Sequence, residues 1–277
     1  MKRILAIAFL TFIVTFVQVS AQAPAVPAAS PAASLYQVVG ISEVTVKYAR
    51  PSVKGRTIFG GLVPYGEVWR TGANTNTTIS FTHDAVIGGV KVPAGTYGLF
   101  TIPGTSEWTV ILSKDNNNWG SGSYKKENDI ARFTVKPEKV SNVELLTFNF
   151  ERADADAARL SIAWADVKIA FDILFESHKN VLEKLKADVS WSTSFRGADY
   201  LLKSGKDLDL AMKYIDISIA IDENYNNLKV KAQLLEKSGK KSEAISTMEK
   251  ALGLAAGMKN PPFDLDAMKK LLETWKK

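Results

Sequence analysis

From Val38 onward apolar and polar positions alternate. Val44, Val46 and Tyr48 fall on one side and Thr45 and Lys47 on the other, the spacing of a half-buried strand. Pro51 stops it. Strand patterns then recur at close spacing over 78–82, 85–87, 90–92, 96–102, 107–112, 131–135, 145–150, 159–164 and 167–173. Gly88-Gly89 marks a two-residue hairpin, and Pro93-Ala-Gly95 and Pro103-Gly104 mark further turns. About eight or nine short strands without a helical interruption predict an antiparallel, jelly-roll-like β-sandwich over 35–173.

After Ile173 the period changes to that of a helix, with Phe175, Leu182 and Leu185 on one face. Ser204-Gly-Lys206 recurs as Ser238-Gly-Lys240, and Ala211, Ile215 and Ser218 recur as Ala244, Met248 and Ala251. Small residues at fixed places in a repeat of roughly 33–34 residues are the pattern of tetratricopeptide-like helix pairs, in which alanine lets helices pack closely. Asn260-Pro-Pro ends the second pair, and Leu265, Met268, Leu271, Leu272 and Trp275 outline a last, capping helix. The whole is an α+β chain in two parts, with a helical domain over 174–277. Two pairs are barely enough to stand alone, so this half is expected to lean on the β domain.

Ahead of the β pattern, Lys2 and Arg3, the apolar run Ile4–Val17 and Val19-Ser20-Ala21 read as a signal peptide over 1–21. Residues 22–34 are Ala/Pro/Ser-rich, which predicts a disordered linker. With no cysteine in the chain, a lipoprotein anchor and a disulfide framework are both excluded. The expectation is an exported protein, periplasmic or secreted, without a membrane span once the signal is cleaved. The formal charge of +6 is spread thinly and concentrates only at Lys47, Arg50, Lys54 and Arg56, too little for nucleic acid.

Between the first two β patterns lies a long segment with neither period, Tyr48–Asn74. It holds Arg50, Lys54, Arg56 and Arg70, the single acid Glu67, several glycines, and Tyr48, Phe59, Tyr65 and Trp69. Such a segment is more often functional than filler. Its Arg-Pro-Ser-x-Lys-Gly-Arg and Glu-Val-Trp-Arg-Thr-Gly-Ala-Asn blocks, with Pro93-Ala-Gly-Thr-Tyr97, Leu99-Phe-Thr-Ile-Pro103 and Trp119-Gly120, resemble domain-of-unknown-function family 2911. The resemblance covers nearly all of 35–173. It implies an exported protein of Bacteroidetes-type bacteria, often with a helical tail, and it brings no activity and no catalytic residues.

The usual catalytic and metal constellations are missing. The only histidines, His83 and His178, are distant in sequence, and the usual zinc and transition-metal ligand sets cannot be assembled from them without cysteine. Asp115-Asn-Asn-Asn118 offers loop oxygens to calcium, but an asparagine-rich hairpin loop accounts for it better. No serine nucleophile elbow, P-loop or dinucleotide fingerprint occurs. The expectation is therefore a binding or scaffolding protein of the cell envelope without metal, cofactor or catalytic residue. Arg50, Lys54, Arg56, Glu67, Trp69, Arg70 and Asn74 form the candidate ligand site for a glycan or anion, and the helical repeats dock a protein or peptide partner. The competing expectation is a periplasmic hydrolase of envelope carbohydrate using a carboxylate pair that includes Glu67. The structural alternative for the loop turns Trp69 and Phe59 into the core and pairs Arg70 with Glu67 or another acid.

Overall fold

A computed structural model describes residues 26–277. The expected signal peptide and the first residues of the expected linker lie outside the described residues. The β part has ten strands: β1 (Ala32–Val39), β2 (Ser42–Ala49), β3 (Thr78–Phe81), β4 (Ala85–Ile87), β5 (Val90–Val92), β6 (Gly95–Ile102), β7 (Trp108–Ser113), β8 (Asp129–Val135), β9 (Glu138–Ala153) and β10 (Ala157–Phe175). They form a six-stranded sheet, ordered β1-β2-β3-β6-β7-β8, and a four-stranded sheet, ordered β5-β4-β10-β9, with every pairing antiparallel. The β4–β5 hairpin, turned by Gly88 and Gly89 at φ 58° and 80°, lies within the smaller sheet, which the chain enters after β3 and leaves before β6. This is the expected antiparallel sandwich.

One core fills the space between the sheets, because alternate residues of each strand face inward. Val44 and Val46 from β2, Leu99 from β6, Leu112 from β7, Leu146 and Phe148 from β9, and Leu160 and Ile162 from β10 all belong to it. Phe100 and Ile111 point to the opposite face of the larger sheet and are nevertheless fully buried. Tyr124, in the segment between β7 and β8, places its ring 5.2 Å from Phe100.

Three local outcomes differ from expectation. Ala32, Ala33 and Ser34, assigned to the linker, pair with Ala49, Tyr48 and Lys47; strand pairing uses backbone groups, so small side chains at a sheet edge suffice. The two strands expected at 159–164 and 167–173 are a single strand, interrupted by an irregularity at Ala165, whose φ is 52°. Phe175, placed on a helical face, is the last residue of β10 and packs in the sandwich core.

Six helices follow: α1 (Ser177–Ala187), α2 (Trp191–Ser204), α3 (Leu208–Ile221), α4 (Tyr225–Lys237), α5 (Lys241–Ala256) and α6 (Leu265–Lys276). The two Ser-Gly-Lys copies end α2 and α4, with Gly205 and Gly239 at φ 68° and 77°, the left-handed backbone of a helix stop. The recurring small and aliphatic residues Ala211, Ile215, Ala244, Met248 and Ala251 are fully buried, as close helix packing requires. His178 on α1 bridges two elements, with Nδ1 3.3 Å from Tyr200 Oη and Nε2 2.9 Å from Asp207 Oδ2, rather than sitting on a solvated face. The apolar clusters of the helices contain no residue of the sandwich, and the sandwich core contains no residue of the helices. The helical half thus has apolar clusters of its own, and it meets the β domain where Ser177 Oγ donates to Ala155 O at 2.6 Å and where Ile41 lines a cavity with Val181, Leu185 and Tyr200. No helix among the described residues is long and apolar enough to cross a membrane.

Candidate functional site

The segment between β2 and β3 crosses one end of the sandwich and is stitched to both sheets. At its start, Val53 N donates to Glu144 O at 2.8 Å and Leu146 N to Pro51 O at 3.0 Å, tying it to β9. At its end, Trp69 and Thr101 exchange both backbone hydrogen bonds, at 2.7 and 2.9 Å, tying it to β6. Gly60, at φ 79°, lies against the Tyr65 ring so closely that a Cβ would collide with it. Lys54, Thr71 and Asn74 also have positive φ, of 48°, 54° and 61°. Thr71 is the costly one, since a β-branched residue in this region stores roughly 1–3 kcal/mol. It is held by Thr101 Oγ1 at 3.0 Å and by Thr77 Oγ1, which donates to its carbonyl at 2.8 Å.

Trp69 turns inward. Its ring stacks on Trp164 of β10 at 5.7 Å and 18°, meets Phe59 and Trp108 edge-on, and donates Nε1–H to Gly72 O at 3.1 Å. Together with the tie to Thr101, this fixes the neighbouring Arg70 in place.

Beside this aromatic plug lies a cleft of about 560 Å³, within the range of small-ligand sites. Lys54, Arg56, Glu67, Trp69, Arg70 and Trp164 line it, with Ser30 and Ser121 at its edges. Five of the seven candidate residues are therefore brought together. Arg50 is not among them: its Nε donates to Leu146 O at 3.0 Å and an Nη to Thr147 Oγ1 at 2.8 Å, so it braces the loop against β9. Asn74 lines a neighbouring cleft and donates to Ser30 O at 3.3 Å.

The charges in the cleft are unevenly committed. Arg56 donates to the carbonyls of Val53 and Ser52, which holds its guanidinium against the loop. Glu67 is exposed and forms no ion pair among the described residues. Arg70 is half-buried, and burial lowers its pKa below the usual value. Among the described residues no acid lies within ion-pair distance of it, and its buried Nε has no hydrogen-bond partner. The expected alternative was mixed in outcome: Trp69 does go inward, but Arg70 does not pair with Glu67. Trp164, 2% exposed, likewise has a buried Nε1 without a partner. Buried donors almost always find an acceptor, and the two residues that carry these line the same cleft.

Glu67 is the one carboxylate among the lining residues, so the cleft does not assemble the pair that glycoside hydrolysis uses. Elsewhere, Asp84 accepts from Ala94 N at 2.9 Å and does not orient His83, whose Nδ1 lies 3.2 Å from Thr82 Oγ1. Asp115 spends both carboxylate oxygens on Lys125 N and Asn128 Nδ2, which makes the asparagine-rich segment a braced loop. Among the described residues no group of three His, Cys, Asp or Glu stands together.

Trp164, Ser30 and Ser121 escaped the sequence reading because they come from a strand, an N-terminal segment and a distant loop. No local signal marks their meeting; only the fold makes it.

The family model described as "Protein of unknown function (DUF2911)" matches residues 30–173, a segment that contains both sheets except the last two residues of β10 and every residue lining the cleft except Ala29. No curated protein and no solved structure matched the chain.

Proposed function

The chain belongs to this family of proteins of unknown function, and, since membership carries no activity, we propose that its β domain is a binding module that takes an anionic group into the cleft of the 50–77 loop. A carboxylate, sulfate or phosphate carried on a sugar suits it best. The observation that carries the reading is Arg70, half-buried without a counter-ion, beside the partnerless indole nitrogen of Trp164. An anionic group in the cleft supplies the counter-charge that Arg70 lacks, and charge-assisted bonds of this kind are the stronger class. Lys54 and Arg56 add positive charge at the edge, and Glu67 is placed to accept from a hydroxyl. The proposed setting is the cell envelope, outside the cytoplasm, as expected for the leader-like N-terminus.

Binding is favoured over hydrolysis because the cleft supplies a single carboxylate. On arrays of acidic and neutral glycans, the protein should be retained by acidic members. Arg70→Ala and Arg56→Ala should both lose that retention, the first with the unfolding temperature almost unchanged and the second with a modest fall, because Arg56 also donates to the carbonyls of Val53 and Ser52. Retention that persists in both variants, or equal retention on neutral glycans, contradicts the proposal.

The helical half is proposed to be a tetratricopeptide-like docking surface for a protein or peptide. It has its own apolar clusters, and Ile217 and Ile221, one turn apart on α3, are exposed at 38% and 53%. Replacing both with Ser should abolish capture of protein partners from an envelope extract without unfolding the helices. Unchanged capture contradicts the docking role.

A further inference from the structure

The anion cleft has a neighbour that shares its wall. A second cleft, of about 530 Å³, is lined by Asn74, Thr75, Thr78, Asn117 and Ser34 among others. The extended segment 29–34 separates the two: Ala29 and Ser30 face the first cleft, while Ala32, Ala33 and Ser34 face the second. Two hydrogen bonds hold this divider, from Arg50 N to Pro31 O at 2.9 Å and from Asn74 Nδ2 to Ser30 O at 3.3 Å.

The loop 116–121 spans the same two clefts. Asn116 and Asn117 line the second and Ser121 lines the first. Between them in sequence stands Trp119, which is 77% exposed although the backbone on either side of it is hydrogen-bonded to the 74–76 segment. Asn76 N donates to Asn118 O at 2.8 Å, Gly120 N donates to Asn74 O at 3.2 Å, and Thr75 pairs with Trp119 as an isolated bridge. The backbone under the indole is thus fixed while the ring itself covers nothing. A large aromatic held out on a braced backbone is a platform in want of a ligand face. Asn117, beside it, makes no side-chain hydrogen bond among the described residues although it lines the second cleft.

We infer that the ligand is a linear acidic oligosaccharide. Its acidic unit sits at Arg70 in the first cleft, an adjoining ring lies on the Trp119 indole, and a further unit meets the hydroxyls and amides of Asn74, Thr75 and Asn117. A sugar fits better than a peptide for two reasons. A flat indole matches the apolar face of a sugar ring, and amides and hydroxyls match its alternating donors and acceptors. The inference rests on the anion-binding reading of the first cleft and adds length and direction to it.

The test is calorimetric titration with galacturonic acid and its dimer and trimer, with the galactose trimer and tetraglutamate as controls. Wild-type affinity should rise roughly tenfold from monomer to dimer, the gain of the one additional subsite on the Trp119 indole. In Trp119→Ala that rise should vanish while monomer affinity holds, and Trp119→Phe should restore most of it. Because Trp119 is exposed, neither change disturbs the core. Equal affinity at every length, a rise that survives in Trp119→Ala, or tetraglutamate binding as tightly as the trimer each overturns the oligosaccharide inference. If the monomer itself fails to bind, the anion reading falls first and this one with it; if the monomer binds and length adds nothing, the anion reading stands alone.

Discussion

The indole of Trp69 lies 5.7 Å from that of Trp164, with the two planes 18° apart. One ring comes from the long loop after β2 and the other from β10 of the smaller sheet, so a stacked pair pins the loop to the sandwich. Trp69 is 7% exposed and also meets Phe59 and Trp108. Trp69→Ala therefore removes a core side chain and should cost about 3–5 kcal/mol, read as a lowered urea midpoint. A cost under about 1 kcal/mol shows that the ring is not what anchors the loop.

Arg50 and Arg70, twenty positions apart in one basic segment, should separate cleanly. Arg50→Ala deletes two hydrogen bonds to β9 and should cost about 1–3 kcal/mol while leaving the cleft lining intact. Arg70→Ala deletes a half-buried charge without a partner, so stability should change by less than about 1 kcal/mol and can rise. Chemical unfolding of both variants, paired with a ligand titration, checks this. The reverse order of stability losses contradicts the assignment of brace and anchor.

In the helical half, Asp264 accepts from Tyr225 Oη at 3.0 Å and from Lys229 Nζ at 2.6 Å, joining the start of α6 to α4. Burial pushes its pKa up, but the hydrogen bonds from Lys229 and Tyr225 and the Lys229 charge outweigh this, and the net shift is downward from 3.8. A folded value below the unfolded one means that this contribution is present above 3.8 and is lost as pH falls through the folded value. Asp264→Asn should thus lower stability by about 1–3 kcal/mol at pH 7, and the gap to wild type should close as pH falls below 3.8. Urea unfolding followed by helical circular dichroism measures both. A gap that is the same at neutral and acid pH contradicts the ion pair.

Much of this architecture was legible in the chain. The period-two runs and Gly88-Gly89 located the strands, because inward residues must alternate wherever a sheet covers a core. The Ser-Gly-Lys copies located the ends of α2 and α4, because the left-handed stop favours glycine. Strand joins were less legible: an irregularity at Ala165 looks like a break in the pattern, although pairing with β9 resumes beyond it. Separate cores were also missed, since periodicity gives the apolar face of a helix but not its partner. Within the loop, composition selected Arg50 and Arg70 equally. Only the fold distinguishes the guanidinium with acceptors from the one without, and only the fold brings Trp164, more than ninety positions later in the chain, to the same cleft.

The most direct test of an anion cleft watches its two partnerless donors. In a ¹H–¹⁵N spectrum, the Arg70 Nε–H and the Trp164 indole N–H can be assigned by their loss in Arg70→Gln and Trp164→Phe. On titration with galacturonate both signals should move together, along one saturation curve, and neither should move with galactose. If galacturonate leaves both signals in place, or shifts them no more than galactose does, the cleft does not hold the anion.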